Sequence, residues 1–120
     1  MILADTSVWI DHFGAPHHEM SRLLAKDQIA VHPFVIGELA LGNLKGRAAA
    51  LEYLDRLPHV LVAQESEVRQ MIETHHFYAR GIGLIDAHLI ASALIDPPAR
   101  LWTRDIRLRK VAVELGVHMH

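Results

Sequence analysis

The sequence predicts an α/β fold in which helices flank a parallel β-sheet. Short apolar segments of strand length alternate along the chain with longer segments whose apolar residues recur at helical spacing. The first apolar segment, residues 1–4, contains no polar residue, which is typical of a strand covered on both faces. A chain of 120 residues, 51% of them hydrophobic, is long and apolar enough to bury the core of one compact domain.

The predicted strands and helices follow one another closely. In the first half of the chain, we expect strands at residues 1–4 and 29–31 and helices at residues 6–13, 18–25, 33–41 and 47–56. In the second half, we expect strands at residues 60–62, 101–103 and 117–119 and helices at residues 64–81, 84–95 and 106–115. No repeat, linker or low-complexity segment interrupts this order, so we expect residues 1–120 to form a single domain.

Local signals support the helices. Thr6 or Ser7 can cap the first one, and Pro33 suits the first turn of another. Gln64 or Ser66 is expected to begin a long helix, and Gly81 is expected to end it as the glycine after its last turn. Residues 84–95 are apolar on nearly every side, which is typical of a buried helix.

The composition excludes several classes of protein. The chain has no cysteine, which excludes disulfides and thiolate metal sites. Its N-terminal apolar run ends at Asp5 and lacks a basic region, so we expect no secretory signal. The longest apolar stretch, residues 81–95, is shorter than the roughly 20 residues that span a bilayer. We therefore expect a cytoplasmic protein with no membrane partner.

Four carboxylates lie at positions where an unpaired acid is unusual. Asp5 directly follows the first predicted strand, and Asp105 closely follows a later one. Glu38 interrupts an otherwise uncharged helix, and Asp86 is the only acid in the apolar stretch 81–95. Because ligands of parallel sheets bind beyond the carboxyl ends of the strands, we expect the four side chains to converge there. Converging carboxylates repel one another, and a divalent cation with oxygen ligands, Mg²⁺ or Mn²⁺, relieves that repulsion.

Each carboxylate also has a simpler interpretation. Asp5 and Asp105 could cap the helices that follow them, and Glu38 could lie on the exposed stripe of its helix. Asp86 falls in the first turn of a helix, where the helix dipole contributes only about 0.3–1 kcal/mol. That is too small to offset full burial of a charge. His88 is expected to be a hydrogen-bonded core or rim residue rather than a metal ligand.

The net charge of −2 at first argues against a nucleic-acid partner. If the four carboxylates bind metal, however, 12 basic residues face the 10 acids that are left of 14. Five of the basic residues lie between Arg100 and Lys110, beside Asp105. A basic patch can therefore form next to the predicted site. Arg104 is the best placed residue for contacting phosphates there, with Arg107 as a second candidate.

Four parts of the chain resemble the motifs of the PIN domain. They are residues 5–11 (DTSVWID), Glu38, residues 83–91 (GLIDAHLIA) and residues 101–105 (LWTRD). They occur in order and with compatible spacing over nearly the whole chain. Within that family, the sequence is similar to the VapC toxins of bacterial and archaeal toxin–antitoxin pairs.

The resemblance implies a three-layer α/β fold, with a central parallel sheet flanked by helices. It also implies a Mg²⁺- or Mn²⁺-dependent endoribonuclease that acts on structured cellular RNA such as transfer RNA. A homodimer and a VapB-type antitoxin are the implied partners. The residues that correspond to the acidic site of the family are Asp5, Glu38, Asp86 and Asp105. Ser7 and Thr103 correspond to polar support, where a hydroxyl could orient a carboxylate.

In the mechanism that these residues suggest, Asp5 and Asp86 hold the principal ion. Glu38 and Asp105 bind through water or help to hold a second ion. Attack on the phosphodiester by metal-activated water requires no nucleophilic side chain. Cleavage by this route leaves a 5′-phosphate and a 3′-hydroxyl.

Three other classes of protein compete with this interpretation. A phosphorelay receiver needs a phospho-accepting aspartate after a middle strand and a late lysine, but Asp55 lies in a predicted helix and Lys110 follows no strand. A haloacid-dehalogenase-type phosphatase needs a second aspartate two residues after the first, where this chain has Ser7. The stronger alternative is a non-catalytic RNA- or protein-binding domain of the same fold, which a cleavage assay separates from a nuclease.

Overall fold

The computed structural model describes residues 1–95 and 97–120. Its sheet consists of β1 (Ile2–Ala4), β2 (Ile29–Ala30) and β3 (Arg100–Trp102), in the spatial order β2-β1-β3. Both pairings are parallel, with Leu3 opposite Ala30 on one side and Leu101 on the other. The predicted parallel sheet is confirmed. Its central strand β1 is buried along its whole length, as a strand covered on both faces must be.

A single-residue bridge extends the sheet beside β2, where Val31 pairs in parallel with His59. The strand predicted at residues 60–62 is therefore wrong. The Val60 amide still donates to the Val31 carbonyl at 3.1 Å, but the chain then leaves the sheet, and the Leu61 side chain is 63% exposed. One paired position is too little to form a strand.

A second bridge extends the sheet beside β3, where Leu101 pairs in parallel with Met119. The Leu101 amide donates to the His118 carbonyl, and the His120 amide donates to the Leu101 carbonyl, each at 2.9 Å. The strand predicted at residues 117–119 is thus reduced to one paired residue, because the pairing does not continue along β3.

Seven helices in the described residues cover the sheet and complete the three-layer α/β fold. They are α1 (Thr6–Gly14), α2 (His18–Ala25), α3 (Pro33–Leu41), α4 (Arg47–Arg56), α5 (Glu65–Thr74), α6 (Leu84–Leu94) and α7 (Ile106–Glu114). All except α5 agree with the predicted helices to within about one residue at each end. In the part of the chain that the structure describes, no helix is both long enough and apolar enough to cross a membrane.

The long helix predicted at residues 64–81 is wrong in its second half. α5 ends at Thr74, and residues 75–83 form an irregular segment that we call the 75–83 loop. Three residues of this loop have positive φ angles: His76 (55°), Ala79 (60°) and Gly81 (79°). The turn directs Phe77 into the core, where its side chain is only 3% exposed. Gly81 therefore lies within the loop and does not follow the last turn of α5.

α6 is the buried helix that its sequence predicts. Residues 87–93 are all buried, whereas Asp86, in the first turn, is half-buried. α6 contacts both β3 and α5. These contacts fix the direction of the helix, and its first turn brings Asp86 out of the core.

Candidate active site

Asp5 lies at the carboxyl end of β1 and is almost completely buried, with 5% of its surface exposed. It caps α1, so the predicted caps Thr6 and Ser7 are wrong by one or two positions. Its Oδ1 atom accepts hydrogen bonds from Ser7 Oγ at 2.5 Å and from the Val8 amide at 3.2 Å. Its Oδ2 atom accepts one from Thr103 Oγ1. Because a carboxylate offers about four acceptor positions, one position on Oδ2 is left for a further ligand.

Two backbone amides fix the direction of these hydroxyl groups. The Arg104 N–H donates to Ser7 Oγ, and the Asp105 N–H donates to Thr103 Oγ1, each at 3.0 Å. Because an ionised carboxylate can only accept hydrogen bonds, each hydroxyl accepts from its amide and directs its single proton at Asp5. The segment that follows β3 therefore orients both carboxylate oxygens of Asp5 through Ser7 and Thr103.

Asp86 has a different environment. Its carboxylate is half-buried, and among the described residues its donor is the Gly83 N–H, which lies 3.0 Å from Oδ2. Burial raises the pKa of Asp86, and the hydrogen bond from Gly83 lowers it. Three neighbouring charges raise the pKa further: those of Asp105, Asp5 and Glu38. The fold thus brings the other three predicted acids within electrostatic range of Asp86.

Glu38 is exposed on α3, and Thr6 Oγ1 donates a hydrogen bond of 2.5 Å to its Oε1 atom. α1 packs against α3, which places the first residue of α1 close enough to hold the glutamate. The sequence alone gives Thr6 only a capping role. The signal that could reveal the contact is a hydroxyl residue between two candidate site residues, Asp5 and Ser7.

Asp105 is partly exposed at the start of α7, which it caps. Its Oδ1 atom accepts hydrogen bonds from the Arg107 amide at 2.9 Å and the Leu108 amide at 3.3 Å. The capping interpretation is therefore correct for both Asp5 and Asp105. Capping does not exclude a bound cation, because a helix N-terminus stabilises a carboxylate that retains free acceptor positions.

The four acids share one edge of the molecule but do not form a ready-made metal site. Within residues 1–95 and 97–120, no three carboxylate or imidazole groups are arranged closely enough to hold an ion. Glu38 accepts a hydrogen bond from Thr6, and one oxygen of Asp105 is used by its own helix. The donor set nevertheless consists of carboxylate oxygens, which are the ligands that Mg²⁺ and Mn²⁺ prefer.

The two arginines predicted to contact RNA differ in their surroundings. Arg104 Nε forms an ion pair with Asp11 Oδ2 on α1, and both side chains are about half exposed. Arg107 has no carboxylate within ion-pair distance in the part of the chain described here. Its side chain instead crosses the 75–83 loop at Gly81. Of the two, Arg107 is the one whose guanidinium is not already paired with an acid.

His88 lies in the core, as expected, with 4% of its surface exposed. Its ring packs edge to face against Phe34, with the ring centres 4.8 Å apart. Burial lowers the pKa of His88. The expected hydrogen bond is missing at Nδ1, which has no partner among the described residues. The environment of His88 is that of a core residue.

Known proteins share this sequence pattern and fold. The family model of the PIN domain matches residues 2–114. The chain is 43% identical over 117 residues to Ribonuclease VapC32 of two Mycobacterium tuberculosis strains, CDC 1551 / Oshkosh and ATCC 25618 / H37Rv, covering 98% of this chain and 94% of theirs. PAE2754 from Pyrobaculum aerophilum has a crystal structure that covers 96% of this chain and 94% of its own, with a TM-score of 0.61. At 18% identity, that likeness shows the fold alone.

The match to the family model includes β1, β3 and every one of the four acids. The identity to the mycobacterial proteins extends over almost the full length of both chains. The chain therefore belongs to the PIN-domain family and, within it, to the VapC group.

Proposed function

We propose that this protein is a Mg²⁺- or Mn²⁺-dependent endoribonuclease toxin that cleaves structured cellular RNA such as transfer RNA. The observation that carries the proposal is the environment of Asp86, whose pKa is raised by burial and by three neighbouring carboxylates. Such a cluster does not stabilise the fold, because like charges repel. A bound cation would neutralise these charges and so account for a cluster of acids in the folded protein. The related Mycobacterium tuberculosis proteins are named ribonucleases.

Asp5 and Asp86 would hold the principal ion, and Glu38 and Asp105 would bind through water or help to hold a second ion. When bound, the ion supplies Lewis-acid activation of water and neutralises charge that develops on the phosphodiester. Oxygen donors in a chain without cysteine favour Mg²⁺ or Mn²⁺ over zinc.

The hydroxyl residues of the site would keep these carboxylates in place. Ser7 and Thr103 each donate to Asp5, and Thr6 donates to Glu38. These hydrogen bonds would restrict the carboxylate rotamers before an ion binds. Such restriction matters because a misplacement of about 1 Å can disrupt a reactive geometry.

Basic side chains at the start of α7 would bind the RNA backbone. Arg107 could do so directly, whereas Arg104 would first have to leave Asp11. Arginine binds phosphate oxygens in a bidentate manner, and such contacts position RNA without reading its sequence. The expected products carry a 5′-phosphate and a 3′-hydroxyl.

We also propose that a VapB-type antitoxin inhibits the enzyme by covering the groove beside Glu38. This groove of about 520 Å³ is lined in part by Ile10, Phe13, Leu39, Leu44 and Lys45. A partner segment placed there would lie against Glu38 and hinder access of RNA to the acids. A homodimer in the cytoplasm is the expected form of the free toxin, and light scattering of the purified protein tests the dimer.

The test is an assay of purified protein with bulk transfer RNA, followed by mapping of the new RNA ends. We expect cleavage with Mg²⁺ or Mn²⁺ and none with EDTA. Asp86→Asn should abolish cleavage, whereas Glu52→Gln, an exposed acid on α4 paired with Arg56, should cleave like the wild type. RNA that is bound but left intact with every divalent ion would instead support the non-catalytic alternative.

A further inference from the structure

The 75–83 loop contacts both ends of α7, and the mechanism does not require these contacts. Arg80 of the loop donates two hydrogen bonds to Glu114 at the end of α7, with N–O distances of 2.6 and 3.0 Å. The buried Phe77 ring anchors the loop in the core. The loop is therefore held against α7 at one end by an ion pair and from below by the core.

The Arg107 side chain lies across this loop at Gly81. A Cβ atom built on Gly81 would lie 2.7 Å from Cδ, 3.0 Å from Nη1 and 3.2 Å from Nε of Arg107. Such distances are too short for non-bonded atoms, whose optimal separation is about 3.5–4.0 Å. Any side chain at position 81 would therefore displace the guanidinium of Arg107 from its place.

Both partners of this contact lie in segments whose backbone amides donate to predicted metal ligands. The Arg107 amide donates to Asp105 Oδ1, and the Gly83 amide, two residues after Gly81, donates to Asp86 Oδ2. Arg107 thus lies between the segments that carry Asp105 and Asp86. Within residues 1–95 and 97–120, no carboxylate forms an ion pair with Arg107.

We propose that Gly81 is a positioning residue that seats Arg107, so that its guanidinium binds a backbone phosphate of the RNA next to the acidic site. This inference rests on the proposed ribonuclease function. A seated guanidinium loses less conformational freedom when it binds a phosphate than a mobile one does. The glycine leaves room for the arginine in this position, which a Cβ atom at residue 81 would occupy.

The experiment measures binding of fluorescently labelled bulk transfer RNA by anisotropy, in EDTA so that no RNA is cleaved. Arg107→Ala and Gly81→Ala are each expected to weaken binding several-fold. Each should also lower the slope of log Kd against log salt concentration by about one, as expected when one phosphate contact is lost. The double variant should bind like Arg107→Ala alone, because Gly81 acts through Arg107.

Two control variants distinguish the displacement of Arg107 from two other effects, backbone strain at a glycine and the general loss of a positive charge. Gly116 has a φ angle of 84° and no atom within 4 Å of a built Cβ, so Gly116→Ala introduces similar backbone strain without displacing an arginine. Lys26→Ala removes one positive charge before β2, at the opposite edge of the sheet. Both should retain wild-type affinity for RNA.

Wild-type affinity in Gly81→Ala, or a double variant weaker than Arg107→Ala by the full Gly81→Ala factor, would overturn the proposal. If Gly81→Ala does not fold, Arg107→Gln tests whether the Arg107 guanidinium binds a phosphate. Unchanged affinity and an unchanged salt slope in that variant would overturn the proposal. A nuclear Overhauser effect between the Gly81 α-protons and the Arg107 δ-protons tests the seat in the unaltered protein, and its absence would overturn the seating. The binding experiment does not measure cleavage, so its result is independent of the nuclease proposal. The cleavage assay with Mg²⁺ or Mn²⁺ tests that proposal separately.

Discussion

Two aspartates near the same edge of the sheet have opposite relations to the protein around them. Asp5 is 5% exposed and accepts hydrogen bonds from two hydroxyls and one amide. Asp86 is half-buried among other acids, and burial together with their charges raises its pKa. The carboxylate of Asp5 is stabilised by hydrogen bonds from the protein, whereas burial and neighbouring acids disfavour the ionised form of Asp86.

The location of each residue explains the difference. Asp5 follows the central strand, so the segment after β3 can supply hydroxyls and amides to it from the side. Asp86 lies in the first turn of α6, whose later residues are all apolar or buried, so among the described residues its donor is the Gly83 amide at the start of that helix. A functional site often includes such a locally unfavourable group, since the cost is recovered when ligand binds.

The largest effect is expected for Asp5→Asn, which removes the carboxylate that the protein stabilises by hydrogen bonds. The amide nitrogen of asparagine cannot accept a hydrogen bond, so the hydroxyl of Ser7 or Thr103 loses its acceptor. We expect unfolding free energy to fall by about 1–3 kcal/mol. We also expect cleavage to be abolished, because one of the two proposed ligands of the principal ion is lost. Urea unfolding and initial cleavage rates measure the two effects.

The shape of asparagine alone would suggest that Asp5→Asn causes little loss of stability. A urea midpoint equal to that of the wild type would therefore argue against the hydrogen-bond scheme around Asp5. Ser7→Ala serves as a matched control, since it removes one donor and leaves the carboxylate, and it should destabilise less than Asp5→Asn.

Asp86→Asn should have the opposite effect on stability while also abolishing cleavage. The raised pKa of Asp86 means that its contribution to stability is fully present below the ordinary value of 3.8 and is lost as pH rises through the folded-state pKa. In EDTA at neutral pH, the variant should therefore melt a few degrees above the wild type. The gap should close as the pH is lowered toward 4, and a gap that widens would contradict the assignment.

Thr6→Val should weaken the hold on Glu38 with little change in stability. Valine has the shape of threonine but cannot donate to Glu38 Oε1. We expect the Mg²⁺ concentration for half-maximal activity to rise about tenfold, as is typical when a residue that orients a metal ligand is removed. Thr6→Ser should restore the wild-type value, and failure of that rescue would mean that the methyl group, not the hydroxyl, matters.

A smaller effect on stability is expected from His32. Lowering the pH reduces its contribution to the unfolding free energy, whereas lowering the pH increases that of Asp86. His32 is fully buried and caps α3 by accepting from the Phe34 amide at 2.9 Å. Burial, followed by the charges of His88 and His59, lowers its pKa from 6.5 to about 4. Its contribution to stability is therefore present above pH 6.5 and is lost as pH falls through about 4.

His32→Asn should retain a capping acceptor and remove this acid sensitivity. Urea unfolding at neutral and acid pH should show a smaller loss of stability in the variant than in the wild type. Equal losses of stability in the two proteins would show that a group other than His32 causes the loss at acid pH. The comparison also isolates the pH dependence of Asp86 from that of the buried histidine.

The sequence predicts the parts of this molecule that depend on local pattern and on strand ends. The apolar run before Asp5, the buried helix that carries Asp86 and the parallel sheet can all be read from it. The sequence does not reveal contacts between distant segments, such as Thr6 with Glu38 or Arg107 with Gly81. These depend on how α1 packs on α3 and on the 75–83 loop, whose positive φ angles at His76 and Ala79 are unusual for residues other than glycine.

The most direct test of the contrast between Asp5 and Asp86 is thermal unfolding at neutral pH with increasing Mg²⁺ or Mn²⁺. A cation that binds only the folded protein stabilises it by an amount that grows with concentration, about 2.7 kcal/mol at one hundred times Kd. We expect the melting temperature of the wild type to rise with ion concentration and that of Asp86→Asn to remain nearly constant. Equal increases in both proteins, or none in the wild type, would contradict a cation site built around Asp86.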